Sequence, residues 1–154
     1  MERSPEQVAA TTAFTDRIIL RAYEGAIRDS QELLENGPAG RKPAQEQVSL
    51  HQWFSQLSQH DREQVHIAVR DAVEAAIFGV FVILDGASGG QPIKDEISDF
   101  ALYLQSYVDH DAEKADTPKT RVKINGLSMS EDLHDLFILD LQERESQTGS
   151  TDIP

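Results

Sequence analysis

The sequence contains no cysteine, and this absence excludes disulfide bonds and thiolate metal sites. A chain of 154 residues can bury roughly 70% of the surface that its unfolded form exposes, so it can fold without covalent cross-links. A composition without cysteine is typical of proteins from a reducing compartment. We therefore expect a cytoplasmic protein.

The sequence also has no uncharged apolar run long enough to cross a bilayer, which requires about 20 residues. The longest apolar segment, residues 65–84, carries Arg70, Asp71 and Glu74 in its first half. The first 14 residues are charged and lack the apolar core of a signal peptide. We expect no membrane partner.

Basic residues are scarce, with 14 Lys and Arg against 27 acidic residues and a formal net charge of −13. Residues 1–60 carry 8 acids and 6 bases, whereas residues 61–154 carry 19 acids and 8 bases. Nucleic-acid affinity comes largely from Lys and Arg on phosphates, so nucleic acid is not an expected partner. A basic protein suits this charge, because complementary fields accelerate association. Solubility is the alternative reason for the same acidity.

Two groups of acidic residues form the candidate surface for a basic partner. One group lies in a polar loop predicted over residues 109–120, and the other lies at the start of the last predicted helix. The candidate partner-binding residues are Asp109, Asp111, Glu113, Asp116, Glu131, Asp132 and Asp135.

No catalytic or phosphate-binding motif is present. The loop over residues 85–90 follows an apolar run but contains neither a Walker sequence nor a dinucleotide fingerprint. No serine lies in a Gly-x-Ser-x-Gly elbow. We predict no catalytic residue and no cofactor, and thus a protein that is not an enzyme.

The histidines lack the paired spacing of zinc ligands on a helix. Neighbouring helical residues, such as His134 and Asp135, do not face each other. We interpret the histidines as solvated or capping residues and predict no metal site. They are His51, His60, His66, His110 and His134.

Capping signals and helical periodicity predict a helix over residues 5–36. Ser4 and Gln7 form a capping box at its start, and Asn36-Gly37-Pro38 ends it. A bend is expected near Gly25.

Two further helices follow in the prediction. Ser49 starts a short helix, and the break at residues 58–61 starts the central helix. Residues 77–84 are rich in β-branched and aromatic side chains, so a buried strand remains an alternative there. We expect four apolar side chains of this segment to be almost fully buried. They are Val73, Ile77, Val80 and Leu84.

Apolar and polar residues alternate over residues 99–108 and 121–126, which predicts an antiparallel pair of strands. Ser128 and Glu131 form a capping box for a last helix. The predicted fold is α+β and mostly helical, with one globular domain over residues 1–145 and a disordered tail over residues 146–154.

Four segments carry a resemblance to known proteins: Val-Phe-Val-Ile-Leu-Asp-Gly at 80–86, Asp-Phe-Ala-Leu-Tyr-Leu at 99–104, Lys-Ile-Asn-Gly at 123–126 and Asp-Leu-His-Asp-Leu-Phe at 132–137. Together they resemble small uncharacterised bacterial proteins of the toxin-immunity type. The resemblance extends over about half of the chain and assigns no functional residue. It implies an immunity or inhibitor protein that binds and neutralises a basic toxin.

Two alternatives to this function remain open from the sequence. One is a structural or regulatory protein that acts as a homo-oligomer, such as a homodimer, through its apolar surface. The other is an enzyme whose site has no recognisable motif.

Overall fold

The computed structural model describes residues 4–85, 101–106, 120–125 and 132–149, and these are mostly helical. The helical elements are α1 (Pro5–Arg17), a π-helical segment (Ile18–Tyr23), α2 (Glu24–Asn36), α3 (Gln45–Ser55), α4 (Gln59–Leu84) and α5 (Leu133–Gly149). Strands β1 (Tyr103–Ser106) and β2 (Thr120–Lys123) form a two-stranded sheet. The predicted class, α+β and mostly helical, is confirmed.

The N-terminal helical stretch begins and ends where the sequence predicts. Ser4 Oγ accepts a hydrogen bond from the Gln7 amide at 3.2 Å, and Gln7 Oε1 accepts one from the Ser4 amide at 3.0 Å. At the far end Gly37 has a φ of 81°, and its amide donates to the Leu33 carbonyl at 3.1 Å. Both ends therefore satisfy backbone groups that a helix leaves without partners.

The irregularity in this stretch lies at the π-helical segment Ile18–Tyr23, just before the predicted bend at Gly25. A Cβ added to Gly25 would meet its nearest neighbours at 3.9 Å, which is ordinary van der Waals contact. Glycine is therefore not required at this position. The local change in the helix comes from the wider hydrogen-bonding pattern of a π-bulge.

α3 begins at Gln45, so the predicted start at Ser49 is wrong. Ala44 precedes it in an extended conformation with φ −63° and ψ 136°. Gln45 and its successors are good helix formers, and Glu46 in the first turn interacts favourably with the helix dipole. Ser49 therefore lies inside the helix and does not cap it.

Ser58 caps α4, which begins at Gln59, within the predicted break at residues 58–61. Its hydroxyl accepts from the Asp61 amide at 3.2 Å and donates to the Asp61 carboxylate at 2.6 Å.

We expect Ser58→Ala to lower the free energy of unfolding by about 0.5–2 kcal/mol, because the amide loses its acceptor. Urea denaturation measures this change. Ser55→Ala is the control, since that hydroxyl only donates to the Gln52 carbonyl within α3, and equal losses would contradict the capping role.

α4 is helical as far as Leu84, which decides between helix and strand over residues 77–84. The predicted burial of this segment is wrong: Phe81 is 1% exposed, but the adjacent Val80 is 54% exposed. The other three side chains named above, Val73, Ile77 and Leu84, are half-buried. Uniformly apolar composition does not reveal which side of a helix its neighbours cover. No helix in the described ranges is long and apolar enough to cross a membrane.

The two strands form the predicted antiparallel pair, with Tyr103 opposite Lys123 and Ser106 opposite Thr120. The Ile124 amide extends the pairing by donating to the Leu102 carbonyl at 2.8 Å. Parts of the alternating segment over 99–108 and the predicted cap at Ser128 lie outside the described residues. The strand prediction is confirmed for the part that is described.

Asn125 joins the sheet to the end of α4. It is 2% exposed, its Oδ1 accepts from the Leu102 amide at 2.7 Å, and its Nδ2 donates to the Leu84 carbonyl. One buried amide side chain thus satisfies two backbone groups that come from different elements.

The contacts of the chain form two compact units, Met1–Arg17 with Phe78–Pro154, and Ile18–Ile77. The buried apolar side chains of the first unit are Ala10, Phe81, Ile124, Leu133, Phe137 and Leu141. Those of the second unit are Ile19, Tyr23, Leu34 and Phe54. The single domain over residues 1–145 stays a prediction. α5 reaches Gly149, beyond the predicted end of that domain, and residues 150–154 lie outside the described ranges.

Candidate functional site

The predicted partner-binding residues fall into two groups in the structure. Asp132 and Asp135 are described, immediately before and inside the first turn of α5. The other five lie outside the described residues, and they are Asp109, Asp111, Glu113, Asp116 and Glu131. The partner-binding role of all seven residues stays a prediction.

Asp85 and His134 form the most buried polar pair of this region. Asp85 follows the last turn of α4, and its side chain is 0% exposed. Its Oδ2 accepts from His134 Nδ1 at 2.9 Å and from the His134 backbone amide at 3.0 Å. The carboxylate therefore both caps the start of α5 and orients the imidazole ring.

This pairing determines which nitrogen of His134 carries a proton. A carboxylate only accepts hydrogen bonds, so the hydrogen bond requires a proton on Nδ1. In the neutral ring Nε2 then presents a lone pair. The ring is 17% exposed and meets the edge of Phe78 at 5.5 Å between ring centres, so its position is fixed on two sides.

Two further carboxylates lie near the His134 ring. The Asp135 Oδ1 atom is 3.6 Å from Nε2, and its side chain is 62% exposed. The ligand atoms of Asp132, His134 and Asp135 all lie within 4.8 Å of one another. A histidine nitrogen and two carboxylate oxygens are a donor set that divalent metals use.

Sequence reasoning missed this cluster. It treated adjacent helical residues as unable to face each other, but in the first turn of α5 the His134 and Asp135 side chains approach closely. It also took His134 as a solvated or capping residue, whereas the structure pairs the ring with a buried carboxylate. An acid placed directly after the longest apolar run was the available signal, because a buried carboxylate there needs a partner.

His51 has the capping role that the sequence predicts. Its Nδ1 lies 2.8 Å from the Leu34 carbonyl, one of the last four carbonyls of α2, so the ring can donate to it. His66 Nε2 lies 3.1 Å from a Glu35 carboxylate oxygen, and Arg62 approaches the other oxygen at 3.8 Å. These contacts join α2 to α3 and α4. The other ring nitrogen of His66, Nδ1, is buried and has no hydrogen-bond partner among the described residues.

A groove of about 290 Å³ lies along α1 and α5. Two leucines form its apolar part, and Leu139 is 55% exposed. Three carboxylates and two threonines complete the lining. The lining residues are Thr12, Thr15, Asp16, Leu136, Leu139, Asp140 and Glu143.

Arg144 lies beside this groove, and its guanidinium group contacts two of the carboxylates that line it. Its Nη2 donates to Asp16 Oδ1 at 2.9 Å, and its Nε donates to Asp140 Oδ1 at 2.9 Å. Glu143 adds a further exposed carboxylate to the same lining. Two acids thus contact Arg144 and a third lines the groove, so the described residues give the groove an excess of negative charge.

A catalytic role for the Asp85–His134 pair would require a nucleophile at Nε2. Within residues 4–85, 101–106, 120–125 and 132–149, Nε2 has no hydroxyl at hydrogen-bond distance. The arrangement of a triad is thus not assembled by these residues. What they assemble is an oriented imidazole with a neighbouring pair of carboxylates.

The groove and the His134 cluster are interpreted from their distances, burial and charge alone. No protein-family model, no curated protein and no solved structure matches this chain.

Proposed function

We propose that this chain is a non-enzymatic binding module for a basic protein, and that the groove along α1 and α5 is its anchor point. The observation that supports this is the exposed Leu139 side chain set among three carboxylates. Apolar centres with charged surroundings are typical of protein-binding surfaces. A Lys or Arg side chain suits such a groove, since its stem is apolar and its head is charged.

The groove alone is too small to be the whole interface. A stable complex buries about 800 Å² on each partner, whereas a groove of about 290 Å³ accommodates one long side chain. The remaining attraction would come from the overall charge of −13, which acts over about a Debye length. The proposal is therefore an anchor side chain with long-range electrostatic attraction around it.

A basic toxin is the partner class that we propose. An inhibitor of such a protein benefits from fast association, and opposite net charges supply it. The acidity of the chain and its resemblance to immunity-type proteins support this choice. A toxin–inhibitor complex would make the acidic surface functional, whereas solubility alone would give it no specific partner.

Self-association is the second candidate, and the exposed face of α4 favours it. Val80 is 54% and Ile83 is 46% exposed, and a Cβ added to the neighbouring helix position Gly79 would meet nothing within 4 Å. Apolar side chains in such a position are commonly covered in an oligomer. Sedimentation of the purified chain at several concentrations separates the two functions, because an inhibitor can be monomeric when free.

The decisive experiment begins with the purified full chain as bait for proteins from its source cells, followed by rate measurements on the captured partner. We expect Leu139→Ala to weaken binding at least roughly fivefold, or about 1 kcal/mol, mainly through faster dissociation. Leu139 is mostly exposed in the free chain, so its truncation should leave stability nearly unchanged. Stopped-flow mixing measures both rate constants.

A matched pair of charge variants tests the electrostatic part. Glu143→Gln removes one charge at the groove, and Asp71→Asn removes one charge from an exposed position on α4. We expect the first to slow association more than the second, and we expect the difference to shrink from 0.1 M to 1 M salt as the Debye length falls from ~10 Å to ~3 Å. The proposal would be contradicted if the rate constants changed neither with salt nor in the Leu139→Ala and Glu143→Gln variants.

A further inference from the structure

We propose that Asp132, His134 and Asp135 bind one divalent transition-metal ion, and that Zn²⁺ fits them best. The site is independent of the partner-binding proposal, since none of its residues lines the groove along α1 and α5. The proposal reverses the prediction of no metal site that the sequence supported.

The first argument is the set of ligand atoms in the cluster. Nδ1 of His134 donates to Asp85 at 2.9 Å, so Nε2 is the ring nitrogen left for a metal ion, and it lies 3.6 Å from the Asp135 Oδ1 atom. Three electron-pair donors then converge within 4.8 Å of one another. An imidazole nitrogen and two carboxylate oxygens this close together are a donor set that a divalent metal ion can share.

The second argument is distance. Zinc binds histidine nitrogen and carboxylate oxygen at about 2.0–2.2 Å, so two tetrahedral ligands are separated by about 3.3–3.5 Å. His134 Nε2 and Asp135 Oδ1 are 3.6 Å apart, which is beyond ordinary hydrogen-bond length and close to that separation. Asp135 is 62% exposed, so its side chain can adjust to bring its oxygen to the metal.

The third argument comes from Asp85, which is independent of the ligand atoms. Its side chain is fully buried, and its Oδ1 has no hydrogen-bond partner among the described residues. A buried carboxylate is costly unless it is paired and hydrogen-bonded, and the described residues pair it with the His134 ring. A metal on Nε2 would add a positive charge on the opposite side of that ring. A carboxylate on the far nitrogen of a histidine ligand is the usual second contact of metal-binding histidines.

Three protein ligands would leave one tetrahedral position open for water or for a ligand from another molecule. The ion would also offset part of the negative charge of Asp85, Asp132 and Asp135 at the start of α5. The ligand softness favours zinc over calcium, because calcium prefers oxygen ligands alone.

The test uses the full chain without a histidine tag, stripped with a chelator and then titrated with ZnCl₂ by calorimetry. We expect one equivalent of Zn²⁺ in the wild type, confirmed by elemental analysis after dialysis. Asp135→Asn should weaken binding at least roughly tenfold, and Asp85→Asn should weaken it roughly 10–100-fold as a positioning change. Co²⁺ in place of Zn²⁺ gives a visible spectrum, which Asp135→Asn should alter.

The controls are His60→Ala and Asp71→Asn, both at exposed positions outside the cluster, and both should bind Zn²⁺ as the wild type does. His134→Ala should abolish binding. Because that variant can also disturb the start of α5, Asp135→Asn at a mostly exposed position keeps the test independent of folding. Less than about 0.1 equivalent at saturating Zn²⁺, or equal binding in wild type, His134→Ala and Asp135→Asn, overturns the proposal.

Discussion

Phe81→Ala is expected to lower the free energy of unfolding by about 3–5 kcal/mol. Phe81 is 1% exposed, and its ring meets Phe14 at 6.0 Å and Phe137 at 5.3 Å between centres, both edge to face. The substitution removes buried apolar area, leaves a cavity and eliminates two aromatic pairs. Domains have only about 5–15 kcal/mol of stability, so most of that margin would be lost.

The adjacent residue is the matched control for this prediction. Val80 is 54% exposed on the same turn of α4, so Val80→Ala should cost below about 1 kcal/mol. Chemical denaturation followed by circular dichroism measures both variants. Equal losses would mean that α4 is buried on both sides, as its composition alone suggests, and would contradict the one-sided burial in the structure.

Asn125→Ala is expected to lower the free energy of unfolding by about 2–5 kcal/mol. Its side chain is 2% exposed and holds two backbone groups, the Leu102 amide and the Leu84 carbonyl. Each group left buried without a partner costs about 1–3 kcal/mol. The loss should therefore exceed that of an ordinary side-chain hydrogen bond.

Hydrogen exchange gives this prediction a site-specific measurement. The Leu102 amide should lose protection in Asn125→Ala, because its acceptor is the removed oxygen. Asn36→Ala at the exposed end of α2 is the control and should change stability by less than about 0.5 kcal/mol. The change in Leu102 exchange must exceed the change that the lower overall stability causes at other amides. If it does not, Asn125 does not connect the sheet to α4 as described.

The ends of the helices were predictable because each depends on residues close together in the sequence. The Ser4–Gln7 and Ser58–Asp61 caps use partners three residues apart, and Gly37 ends its helix through its own φ of 81°. The error at α3 has the same local origin. Ser49 has a capping-box spacing to Gln52, but the helix formers before it extend the helix back to Gln45.

The candidate site was not predictable in this way, since its contacts join distant parts of the chain. Asp85 and His134 are separated by 49 positions, and Asp16 and Arg144 by 128. No periodicity or spacing in a sequence encodes a hydrogen bond between such residues. The histidines lack paired spacing in the sequence, whereas the folded chain brings one histidine and two carboxylates together.

The sequence by itself determined the helical class, the antiparallel strands and the excess of negative charge, because these follow from local propensity, alternation and composition. Only the tertiary structure decided which side of α4 is covered, where Phe81 is buried while Val80 is exposed. It also decided that a buried Asp85 holds the His134 ring, whose other nitrogen lies 3.6 Å from the Asp135 carboxylate. Burial and orientation depend on which elements pack together. The local sequence of an apolar helix, or around a single acid, does not specify which residues pack against it.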